Sequence, residues 1–211
     1  MYKTWTSSKA LLNVAALSLA VTLSTSAVAG PGKPGQNDFV EGGTIVDIAL
    51  AVNASLGEFD YLLGAVGCLT DADGNNPVVE LLTGSDKYTL FAPNDVAFEA
   101  LQRALGITEP DPSLTCAVDS IFGEGTLFTV LAYHVTEGRR FSNSVFNQNS
   151  SKVIETLAGE DIVGFVDDED GPTLHDVDGQ TVGVVDGLIN INAINGVIHV
   201  VDTVLLPIDL P

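Results

Sequence analysis

The sequence predicts an α+β domain, and three observations carry that expectation. Apolar residues recur at helical spacing through residues 45–66 and again through 97–131. After Arg139 the pattern changes to short alternating runs separated by Gly, Asp and Asn. One early apolar run, residues 88–91, stands among the helical segments and supplies a strand that can join the later sheets. No internal repeat is visible, so one copy of the domain is expected.

The first helix opens at Thr44, an N-cap residue with Asp47 placed to reach back to it, and carries Ile45, Ile48, Ala49 and Val52 on one face. A second helix places Phe59, Leu62, Leu63 and Val66 together. The loop 71–76 precedes a short helix that starts at Pro77. Residues 88–91 form a strand that Pro93 should stop, because proline has no N–H for the ladder. Asn94 or Asp95 then caps a helix whose inner face holds Ala97, Phe98, Leu101 and Leu105. Thr126 opens a further helix with Leu127, Val130 and Leu131 inside, ending near Tyr133-His134-Val135, where strand formers begin. Strands are expected at 152–157, 161–166, 180–185, 189–194 and 197–206, with Asn195-Gly196 as the strongest hairpin signal.

Ahead of this domain, Lys3 and Lys9 flank the start of an apolar stretch, residues 10–23, that leads to Ser26-Ala27-Val28-Ala29-Gly30. These are the parts of a secretory signal peptide, residues 1–29, cut after Ala29. A membrane anchor is the alternative, but a spanning helix needs about 20 apolar residues, and this run has about 14 including Asn13. A flexible leader, 30–42, the domain, 43–207, and a tail, 208–211, complete the expected organisation. Loss of Lys3 and Lys9 with the signal peptide leaves 6 basic against 28 acidic residues, a net charge of −22. That charge repels nucleic acid and anionic lipid, so neither is expected as a partner, and it suits salt, cations or basic partners. For a chain that leaves the cytosol, the two cysteines, Cys68 and Cys116, favour one disulfide over two free thiols.

Three stretches, in this order, carry a family resemblance: TLFAPNDVAF at 89–98, VLAYHV at 130–135 and NGVIHVVDTVLLP at 195–207. Together they resemble the signature boxes of the fasciclin-type adhesion domain, FAS1, over about 43–207. The resemblance implies a wedge-shaped β-sandwich of about seven strands with helices packed along one edge. It also implies a secreted or surface-attached adhesion module without a catalytic centre. The family's tyrosine-histidine motif falls on Tyr133 and His134, which the resemblance marks as partner-binding; in some animal members that motif is linked to integrin binding. Both cysteines lie in segments longer than the family pattern, around 68–84 and 106–125, so a bond between Cys68 and Cys116 would pin one insertion to the other. Pro93, Asn94 and Asp95 become a structural seam of strand, proline stop and helix cap.

Candidate chemistry elsewhere is sparse. No G-x-S-x-G turn is present, and His134, His175 and His199 stand in unrelated contexts. For His134 a structural role, its ring bonded to backbone or to the Asn94-Asp95 turn, stands beside direct partner contact. The loop at Asp71 has glycine at the fourth rather than the sixth position of a calcium loop, and Leu82 where the bidentate glutamate belongs. Asp167-Asp168-Glu169-Asp170-Gly171 and Asp176-Val177-Asp178-Gly179 read as solvated hairpin turns. Asn53-Ala54-Ser55 and Asn149-Ser150-Ser151 are glycosylation acceptors in a eukaryotic source. The expected function is a secreted, periplasmic or cell-surface interaction module, non-enzymatic and without cofactor, metal or membrane span after cleavage. It would bind an extracellular or cell-surface protein or a matrix polymer. The alternative is a carrier of an apolar small molecule, such as a carotenoid or lipid, held between helices and sandwich.

Overall fold

The computed structural model describes residues 42–169, 171–177 and 179–207. The expected signal peptide, the leader up to residue 41 and the tail 208–211 lie outside the described residues, as do Asp170 and Asp178 in the two acidic turns.

Helices α1 (Ile45–Leu56), α2 (Asp60–Cys68) and α3 (Pro77–Thr83) come first. Thr44 and Asp47 form a reciprocal capping box at the start of α1, and Asn76 caps α3 ahead of Pro77. Strand β1 (Tyr88–Pro93) and α4 (Asp95–Ala104) follow, then a 3-10 segment (Pro112–Ala117) and α5 (Val118–Phe122) in the 106–125 insertion. After α6 (Thr126–Tyr133) come β2 (Val135–Glu137), the single-turn α7 (Ser142–Val145), β3 (Lys152–Glu155), β4 (Asp161–Asp167), β5 (Gly171–His175), β6 (Thr181–Gly183), β7 (Ile191–Ala193) and β8 (Gly196–Val201).

The eight strands form two four-stranded sheets, β2-β1-β8-β7 and β3-β4-β5-β6. In the first sheet β1 runs parallel to β8, from Tyr88 opposite Gly196 to Pro93 opposite Val201, and all other pairings are antiparallel. Both central strands are buried along their whole length, which explains their unbroken apolar runs. Ile198, Leu90 and Val200 face the helices and join Ile45, Val52 and Leu131 in one core. Phe91 and Val201 face the other way, into a second core with Ile154, Ile162, Leu174 and Leu205. Each such side chain, taken wholly out of water, stabilises the fold by about 1.5–3 kcal/mol.

Two sequence expectations change here. β1 runs two residues past the expected 88–91 and takes in Pro93 as its last residue, beside Val201. Phe91 donates its N–H to His134 O on the β2 side, whereas Asn94 donates to Val201 O on the β8 side. Alternation would turn an N–H at position 93 toward the β2 side, where β2 gives way to α6, so the proline forfeits no ladder bond there. The hairpin at Asn195-Gly196 exists, with Ala193 opposite Gly196, but neither residue has positive φ. Gly196 is needed for space, because a Cβ there would overlap Tyr88 O and the Ile45 side chain.

Candidate functional site

The three signature stretches converge on His134. Its backbone oxygen accepts from Phe91 N–H at 2.9 Å, and its ring Nδ1 lies 2.7 Å from Val130 O, one helical turn back. Ring Nε2 accepts the N–H of Leu205 at 2.9 Å. Val130 O can only accept and Leu205 N–H can only donate, so the ring is neutral with its proton on Nδ1. Burial pushes its pKa down from the ordinary histidine value to about 4, against the opposing pull of the Val130 bond.

Tyr133, the preceding residue, places its ring in the second core, and its hydroxyl donates to Asp161 O at 2.9 Å and accepts from Val177 N–H at 3.1 Å. It thereby ties the end of α6 to the start of β4 and to the turn after β5. Tyr133 is 0% and His134 1% exposed. The expectation that these two residues contact a partner directly is therefore corrected: neither side chain reaches the surface in this fold. The backbone-bonded role for His134 is the one the geometry supports, with Leu205 rather than the Asn94-Asp95 turn as the distant partner.

At the seam, Asn94 caps α4, its Oδ1 accepting from Ala97 N–H at 3.0 Å. Asp95 serves another element. Its Oδ1 accepts from Tyr61 N–H at 3.0 Å, in the first turn of α2, whose own N-cap position, Phe59, supplies no side-chain bond. Adjacent residues thus cap two helices, α4 and α2. Burial raises the Asp95 pKa, with the backbone bonds to α2 opposing. Asn195, read from sequence only as a turn residue, is a buried clamp. Its Oδ1 accepts from Ile45 N–H at 2.8 Å, and its Nδ2 donates to Leu82 O at 2.6 Å and Gly84 O at 3.2 Å. It joins the start of α1 to the end of α3.

Cys68, at the end of α2, and Cys116, in the 3-10 segment, sit at disulfide distance, their Cα atoms 5.4 Å apart. Two apolar clefts of about 50 Å³ each lie among the helices. One is lined by Ala49, Leu62, Val78 and Leu131, the other by Leu101, Leu114, Ile121 and Leu206.

The remaining candidates are used locally. Asp71 Oδ1 accepts from Asp73 and Asn75 N–H and its Oδ2 from Asn75 Nδ2; the Asn75 side-chain bond leads in holding its pKa down. Among the described residues no group of three or more His, Cys, Asp or Glu could hold a metal ion. Asp176 is corrected from a solvated turn residue to a buried one: its carboxylate accepts from Gln180 N–H at 2.8 Å and Leu206 N–H at 3.4 Å. His199 stacks on Phe91 with ring centres 5.7 Å apart, and its Nε2 donates to Arg140 O at 2.8 Å. Burial lowers its pKa as well. Asn53 Nδ2, the glycan acceptor of the first sequon, donates to Asp60 Oδ1 at 2.9 Å.

The result is a two-sheet α+β domain whose distinctive residues lock strand to helix and helix to helix. The chain belongs to the fasciclin domain family, whose model matches residues 68–207. Domains of this family are generally adhesion-related and non-catalytic, and are typically extracellular or at the cell surface. The chain is 34% identical over 167 residues to the protein sll1483 of Synechocystis sp., covering 78% of this chain and 73% of that relative. It is also similar to a FAS1 domain pair from the insect cell adhesion molecule fasciclin I, at 16% identity and a TM-score of 0.47. That match covers 69% of this chain and 45% of the insect chain, so the chain spans less than half the length of the domain pair.

Proposed function

We propose that this protein is a secreted, non-enzymatic interaction module that holds an extracellular or cell-surface partner through surface side chains. In this reading the signal peptide 1–29 is removed, the domain 43–207 is the working unit, and the signature residues serve as its framework. One observation carries the reading: the polar side chains of the signature stretches are bonded to backbone groups inside the fold. Tyr133, His134, His199 and Asn94 spend their polar atoms inside the fold, whereas a catalytic group needs one left to face substrate. The carrier reading is less favoured, because each apolar cleft is about 50 Å³ and even benzene occupies an engineered cavity of about 150 Å³.

The test is adhesion of the full secreted chain to native cell-envelope material, compared with Tyr133→Phe and His134→Gln. The expected result is retained binding by both variants at temperatures where they stay folded, with lowered stability. Absence of binding by the wild-type chain, or turnover of an ester or glycoside substrate lost in a folded His134→Gln, would overturn the proposal.

A further inference from the structure

The fold carries one cationic face on a strongly acidic chain, and the inference drawn from it rests on the interaction-module reading and deepens it. The described residues include five cations, Lys87, Arg103, Arg139, Arg140 and Lys152, in a chain with 28 acidic residues. Arg103 pairs with Glu99 at 2.8 Å, the sole ion pair among the described residues. Three of the other four, Lys87, Arg139 and Arg140, bond residues along one end of the first sheet, Arg140 on the β2 side and the other two on the β7 side.

Residues 138–142 cross that sheet as a strap. Gly138 N–H donates to Lys87 O at 2.6 Å, and Arg140 N–H donates to Thr89 Oγ1 at 2.8 Å. Arg140 O accepts from His199, and Ser142 N–H donates to Asn190 Oδ1 at 2.7 Å. The strap is therefore pinned to β1, to β8 and to the approach to β7.

Its cations are aimed by neutral oxygens. Arg139 donates to Asn192 Oδ1 and lies 5.7 Å from the Phe141 ring centre; Arg140 Nε donates to Glu137 O at 3.2 Å; Lys87 Nζ donates to Ile194 O at 3.0 Å. Asn192 and Ile194 stand two residues apart at the end of β7, which brings the Arg139 and Lys87 heads to the same margin. Phe141 is 40% and Ile194 54% exposed beside them. Asp86 and Glu137 border the same corner around Tyr88, and neither forms an ion pair with these cations.

We propose that this face binds a carboxylated polysaccharide, with Arg139, Arg140 and Lys87 taking uronate carboxylates and Phe141 taking the apolar face of a sugar ring. The planar guanidinium fork matches a carboxylate in a way a point charge does not. A ring held beside it supplies a flat apolar platform, and a strap already pinned loses little freedom on binding. An acidic polypeptide would satisfy the cations but leaves the exposed ring unexplained. The net charge of −22 left after loss of Lys3 and Lys9 repels a polyanion at long range. Charges farther apart than about 8 Å are screened at physiological salt, so recognition there is local.

The test is titration of the full secreted chain with hexagalacturonate, neutral maltohexaose and hexaglutamate. Hexagalacturonate should bind, maltohexaose should not, and hexaglutamate should bind at least about tenfold more weakly than hexagalacturonate. Lys87→Gln/Arg139→Gln/Arg140→Gln should lower hexagalacturonate affinity about tenfold or more, and Phe141→Ser about threefold or more. Arg139→Lys/Arg140→Lys, which keeps charge and removes the fork, should lose about fivefold and covers the case in which the triple variant fails to fold. No binding of hexagalacturonate, equal binding of hexaglutamate, or an unchanged Phe141→Ser overturns the proposal. A wild-type chain that adheres to cell envelope but not to hexagalacturonate overturns this inference alone and leaves the adhesion module standing.

Discussion

His134 Nε2 accepts the backbone N–H of Leu205, so the middle signature stretch holds the closing one by a bond that exists only while the imidazole is neutral. The folded-state pKa of about 4 lies below the unfolded value near 6.5. Stability from this group is therefore fully present above about pH 6.5 and is lost as pH falls toward 4, because the unfolded chain takes up the proton first. The shift corresponds to about 3 kcal/mol, and the lowered pKa of His199 acts in the same direction. The raised pKa of Asp95 acts in the opposite sense. Urea unfolding at pH 7.5 and pH 4.5 should show the loss, and His134→Gln should flatten it. A wild-type chain equally stable at both pH values would remove His134 from this role.

The adjacent caps should behave as two separate losses. Asn94→Ala removes the α4 cap and Asp95→Ala the α2 cap, each lowering stability by about 1 kcal/mol. The double variant should approach the sum, since the two bonds end on different helices. Chemical denaturation of the three variants checks this; a double variant no worse than Asn94→Ala would mean that α2 is capped in some other way.

Reduction of the bond between Cys68 and Cys116, 48 residues apart in sequence, should lower stability by about 4 kcal/mol through the freed chain entropy of the unfolded state. Thiol titration of the native chain should find no reactive cysteine, and the Cys68→Ser/Cys116→Ser variant should reproduce the reduced protein.

Asn195→Ala should be among the most damaging substitutions outside the apolar core, at about 3 kcal/mol. It strands the Ile45 N–H and the Leu82 O, both buried. Gly196→Ala should cost about 1–3 kcal/mol by overlap with Tyr88 O and Ile45. Thermal unfolding of both variants measures these losses, and a near-neutral Asn195→Ala would show that water replaces the amide.

Much of the fold was legible because its signals are local. The Thr44 box, Pro77 after Asn76, and Ala97 and Phe98 behind a capping residue all announce helices within a few residues of chain. Strand β5 escaped notice because it starts at Gly171, read as the end of an acidic turn, and Pro172 lacks a ladder N–H; the 3-10 segment and α5 are short and lie in an insertion without helical periodicity. The site was less legible, since its meaning depends on distant partners. Asp95 serves Tyr61, 34 residues earlier in the first turn of α2, and Asn195 serves Ile45, 150 residues away. Tyr133 and His134 carry polar atoms that suggest a surface, and only distant segments put them inside, the second sheet around Tyr133 and the closing stretch at His134. Arg139 and Arg140 follow a three-residue strand with no periodicity to place them, and the strap emerges only from its bonds to Thr89, Asn190 and His199.

The parallel pairing of β1 with β8 joins chain regions roughly a hundred residues apart, near the beginning and the end of the domain. A chain emerging in sequence order cannot complete its first sheet until its last strand is free, whatever helices have already formed. That order of assembly keeps the centre of the molecule open until residues 196–201 have been added and can lie beside β1.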